Sequence, residues 1–68
     1  MKEKEKLDTL LGYWIEHNQE HSREFREWAE KANSAGALNV GKAVKRAADD
    51  LDAATASLRE AQEQLKYK

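Results

Sequence analysis

Apolar residues recur along the second half of the chain with unusual regularity. Val40, Val44, Ala47, Leu51, Ala54, Leu58, Ala61 and Leu65 are separated by alternating steps of four and three. That spacing keeps one stripe of an α-helix turned toward a neighbour. Within the stripe, large residues alternate with alanine. The first half repeats the rhythm at Leu7, Leu11, Trp14, Asn18, His21, Phe25, Trp28, Ala32 and Ala35. Between the halves, Gly36-Ala37-Leu38-Asn39-Val40-Gly41 is the only stretch with loop character. Gly36 suits the left-handed position just past a helix C-terminus, and Asn39 suits the N-cap of the next helix. The pattern predicts one helix up to about Ser34, a short turn, and a second helix from about Val40 to Leu65.

Folded back at that turn, residue i faces roughly residue 75 − i. Trp28 is then expected against Ala47, His21 against Ala54 and Trp14 against Ala61, with Phe25 facing Leu51 and Leu11 facing Leu65. Large residues would oppose small ones along the whole hairpin. Gly12 interrupts the first helix at a cost of roughly 1 kcal/mol relative to alanine. This predicts a short helix from about Lys2 to Leu11 and a longer one starting near Tyr13. The expected fold is therefore all-α: an antiparallel helical hairpin of two long helices, with a short N-terminal helix and a break near Gly12. Residues 1–68 are read as one domain.

Composition sets the demand on that hairpin. With 68 residues, 37% charged and 40% hydrophobic, a single core supplies no more than roughly 3–5 kcal/mol. Such a chain needs a staple or a partner. Cysteine is absent, which excludes a disulfide framework and a thiolate zinc site. No apolar run is long enough to span a membrane, and neither a targeting signal nor cysteine is present, which fits a cytoplasmic location. The formal net charge of −1 argues against nucleic-acid binding. A small basic patch at Lys42, Lys45 and Arg46 is offset by Asp49, Asp50 and Asp52, as on a solvated face. Leu10, Tyr13, Ile15, Leu38, Ala48, Ala53 and Ala56 lie off the stripes and remain unaccounted for by one hairpin; Tyr13 and Tyr67 are expected at the surface. A second copy would cover such residues by completing a four-helix bundle.

One polar cluster interrupts the apolar stripe. Asn18 and His21 occupy stripe positions, and His17 and His21 are one helical turn apart, with Glu16, Glu20 and Glu24 alongside. Two imidazoles at this spacing can clasp one transition-metal ion such as zinc or nickel, with Glu20 or Glu24 as a third ligand. The zincin motif is incomplete, because Asn18 follows His17 where a glutamate base should stand. The Glu-x-x-His motif of di-iron bundles fails for the same residue, three before His21. Ser22, Ser34 and Ser57 have no nucleophile context. The competing interpretation is a polar layer in which Asn18 and His21 fix the helix register.

The run Trp14-Ile15-Glu16-His17-Asn18, followed by His21, Phe25, Trp28 and Ala29, resembles a signature of small uncharacterised helical-hairpin domains of bacteria and archaea. The resemblance covers most of the chain, including the alanine- and leucine-rich second helix. It implies the hairpin fold and no activity. That pattern carries proline near position 12 and often histidine at 13, where this chain has Gly12 and Tyr13. The function expected from the sequence is a non-enzymatic accessory or interaction domain, binding a protein partner or itself and using no cofactor. The alternative is a small metal-binding domain built on His17 and His21.

Overall fold

The computed structural model describes residues 2–66 and contains two antiparallel helices, α1 (Lys2–Ser34) and α2 (Leu38–Lys66). Tyr67 lies outside the described residues. Glu3 and Glu5 in the first turn of α1 and Lys31 in its last turn complement the helix dipole. The all-α hairpin expected from the apolar spacing is the fold observed.

Helix α1 runs through Gly12 without a break, so the separate N-terminal helix expected from sequence does not form. Glycine keeps its backbone N–H and C=O, and the hydrogen-bond ladder continues through it. Its conformational penalty is offset because Leu11 and Ile15, on either side, are both buried.

The turn occupies only three residues. Gly36 has φ +86°, and its N–H donates to the Asn33 carbonyl while the Ala37 N–H donates to the Ala32 carbonyl at 2.8 Å. This is the Schellman arrangement, which satisfies carbonyls that the helix end leaves orphaned. The Gly41 N–H already donates to the Ala37 carbonyl at 2.9 Å. Helix α2 therefore starts at Leu38, earlier than expected, and Asn39 lies within its first turn instead of capping it.

The register agrees with the sequence pattern to within one residue: Gly12 lies beside Gln62, Ser22 beside Asp52 and Asn33 beside Gly41. The line of contact does not agree. In both helices it is displaced by one residue from the alanine and aromatic members of the stripe. The buried residues are Leu11, Ile15, Ser22 and Ala29 of α1, and Gly41, Ala48 and Thr55 of α2. Ile15 and Ala48, which the apolar stripe left out, are thus part of the core. Trp14 and Trp28, expected against Ala61 and Ala47 of the same hairpin, remain 39% and 62% exposed.

The reason is steric. Small residues at every seventh position, Ser22 and Ala29 facing Gly41, Ala48 and Thr55, let the two backbones approach closely. An indole cannot fit between axes so near, so both tryptophans swing to one side. Of the two helical glycines, Gly41 is the more tightly enclosed. A Cβ there would stand 2.9 Å from the Ala29 carbonyl oxygen and would collide with the Asn33 side-chain oxygen. At Gly12 the nearest atom would be Gln62 Nε2 at 3.7 Å, an ordinary contact.

Two glycines in the same fold therefore respond oppositely to alanine. Gly12→Ala is expected to stabilise the protein by about 0.5–1 kcal/mol through helix propensity. Gly41→Ala is expected to destabilise it by about 1–3 kcal/mol, because backbone must move to admit the methyl group. Urea unfolding followed by circular dichroism measures both.

Candidate functional site

The displaced contact line leaves two unlike surfaces. On the front, α1 presents Leu7, Trp14, His21 and Trp28, and α2 presents Val40, Ala47, Ala54 and Ala61. Half-buried Phe25, Val44, Leu51, Leu58 and Leu65 lie along the groove between the helices. Phe25, Trp28, Val44 and Ala47 line one part of that groove, a cavity of about 430 Å³. None of these front residues is Asp, Glu, Lys or Arg in a chain that is 37% charged. Lys31 bounds the surface, its Nζ 4.2 Å from the centre of the Trp28 ring, where the ring quadrupole attracts the cation.

The other side carries the polar contacts between the helices. The Ser22 hydroxyl, itself buried, donates to Asp52 Oδ1 at 2.6 Å. Arg26 Nη2 donates to Asp52 Oδ2 and to Asp49 Oδ1, the latter at 3.0 Å. The Ser22 hydrogen bond, and after it the Arg26 guanidinium, hold the Asp52 carboxyl below the usual carboxylate range. Hydrogen bonds to Asp52 and Asp49 raise the Arg26 guanidinium above its ordinary value. Cross-helix polar contact thus runs through Ser22 and Arg26, whereas the sequence pointed to Asn18 and His21 for that task. The chain gives one late clue: Ser22 and Asp52 become partners once the register is known.

The histidines form a third feature, at the margin of the front. His17 and His21 Nε2 atoms are 3.0 Å apart, and His21 Nδ1 is 3.1 Å from Glu24 Oε1. Tyr13, His17, His21 and Phe25 rise along α1 as a ladder of rings. Tyr13 stacks on His17 at 5.5 Å with 15° between planes, and His17 meets His21 edge-on at 4.4 Å and 82°. Asn18 is half-buried beside this ladder, and Glu20 is exposed on the same helix. Among the described residues, no group of three His, Asp or Glu side chains converges to hold a metal ion. Glu24 stands at the Nδ1 side of His21, away from the point where the two Nε2 atoms meet.

The cross-helix clasp has a pH dependence of defined sign. Since Asp52 is held below its unfolded value, its stabilising contribution is complete above about pH 4 and is lost as pH falls below that. Urea midpoints are expected to drop as the pH falls below about 4, and to drop less steeply in Asp52→Asn. Ser22→Ala removes the largest cause of the shift and is expected to move the Asp52 titration upward, read from its carboxyl carbon by NMR.

Searches of curated proteins and of solved structures return no match to the chain. No helix among the described residues is long and apolar enough to cross a membrane. A family model described as "Domain of unknown function (DUF8180)" matches residues 7–65. The matched segment takes in most of both helices, the small-residue seam, the front surface and the histidine pair, and the chain belongs to this DUF8180 family.

Proposed function

We propose that the chain is a non-enzymatic accessory domain that works by self-association, two hairpins joining through their front surfaces into a four-helix bundle. The observation that carries this reading is the front itself: apolar apart from His21, without Asp, Glu, Lys or Arg among its residues, and opposite a side that holds the polar clasp. An occupant must match it in length and in lack of charge. A second copy does both.

The size of the exposed surface supports the same partner. The hairpin exposes 5381 Å², against about 4,400 Å² for a compact monomer of its mass. The excess of about 1,000 Å² is close to what each partner contributes to a stable interface, about 800 Å².

Relief on the front suggests how the copies meet. Bulky Trp14, His21 and Trp28 stand on α1, while Ala47, Ala54 and Ala61 lie at matching heights on α2. With α1 of one copy over α2 of the second, each large residue meets an alanine and both turns lie at the same end. The large-on-small opposition expected within one chain then forms between two. Side chains capable of chemistry are engaged structurally: the Ser22 hydroxyl donates to Asp52, and Arg26 spans two carboxylates.

Sedimentation equilibrium over a range of concentrations tests this. The parent is expected at about twice its 7.8 kDa chain mass, with Trp28→Glu monomeric because a carboxylate cannot enter an apolar interface unpaired. Arg46→Glu, outside the front, is expected to leave the mass unchanged. A parent that remains a folded monomer at millimolar concentration would exclude self-association.

A further inference from the structure

We infer that His17 and His21 form a binding site for a divalent transition metal ion of the copper(II) or nickel(II) kind, with Glu24 as a positioning residue. The site is built within one helix and does not depend on self-association.

Three observations converge on it. First, the two Nε2 atoms are 3.0 Å apart. That separation brings both ring nitrogens within reach of one ion at the usual 2.0–2.1 Å, and imidazole is a ligand that copper(II) and nickel(II) favour.

Second, Glu24 fixes the state of His21. Its carboxylate accepts from Nδ1 at 3.1 Å, so Nδ1 carries the proton and the lone pair of the neutral ring is on Nε2. A carboxylate behind a histidine in this way orients the ring and fixes its tautomer. Third, Tyr13 stacks on the other ring, 5.5 Å from His17, and holds its plane so that Nε2 meets that of His21.

In the metal-free pair, one ring donates an N–H to the other across the 3.0 Å gap. Binding moves the His17 ring proton from Nε2 to Nδ1 by exchange with solvent, so that both Nε2 lone pairs face the ion. Two protein ligands leave the remaining positions to water, in keeping with the absence of a third converging side chain among the described residues. Phe25 lies on the other side of His21, ring centroids 6.0 Å apart.

Calorimetric titration with copper(II) and with nickel(II) tests the inference. One copper(II) or nickel(II) ion per chain is expected. Frozen-solution electron paramagnetic resonance of the copper(II) form should show a tetragonal spectrum with coupling to two nitrogens. His17→Ala and His21→Ala are each expected to lower copper(II) affinity at least tenfold, with helicity retained because alanine is a strong helix former. Glu24→Ala should lower it about 10–100-fold. Glu24→Gln, whose amide oxygen still accepts from Nδ1–H, should restore most of that loss, which a general effect on the helix would not. Copper(II) affinity unchanged in the His17→Ala/His21→Ala double variant would overturn the site.

Discussion

The close approach of two backbones along small residues governs this molecule. Once Ser22 and Ala29 lie against Gly41, Ala48 and Thr55, the space between the helix axes is too narrow for any large ring. The position of every other side chain follows from that exclusion. Both tryptophans are displaced to one side, and the charged residues that must bridge the helices are confined to the other. The hairpin acquires an apolar front and a polar back without any single residue encoding the division. Thr55 shows how firm the seam is: its hydroxyl is buried without a hydrogen-bond partner, a cost the close packing around it must offset.

The steps of four and three made the helices and their register legible, because that spacing is a property of each helix alone and holds whichever neighbour the stripe meets. They did not reveal which side of the stripe touches which neighbour. Leu11, Phe25, Val44, Leu51 and Leu58 sit between the two contacts and fit either assignment. The deciding residues were the small ones, Ser22, Gly41 and Thr55, which look polar or neutral in a hydrophobicity pattern yet permit the nearest approach. Gly41 resembled a loop residue for the same reason, and Gly12 resembled a break. Each is a helical glycine, and only the neighbouring helix distinguishes their roles.

The polar residues divide in a similar way. His17 and His21 were visible in the sequence because their four-residue spacing lies within one helix. The role of Glu24 was only half visible: proximity to His21 follows from its position, but the choice between ligand and orienting acceptor depends on which ring nitrogen it reaches. The bridge from Ser22 and Arg26 to Asp49 and Asp52 joins residues distant in sequence, so no local motif announces it. A cross-helix clasp and a within-helix pair thus coexist on opposite sides of α1, one tying the hairpin together and the other facing outward.

The scarcity of deeply buried bulk has a thermal consequence. None of the described large side chains is fully buried, and the buried apolar residues are Leu11, Ile15, Ala29 and Ala48. The heat-capacity change on unfolding scales with apolar surface newly exposed to water. An isolated hairpin of this construction gains little such exposure, so its stability changes gently with temperature and its curve is broad and flat. Covering the front with apolar surface would steepen that curve. The same sequence thus has two calorimetric characters, set by whether Trp14 and Trp28 face water.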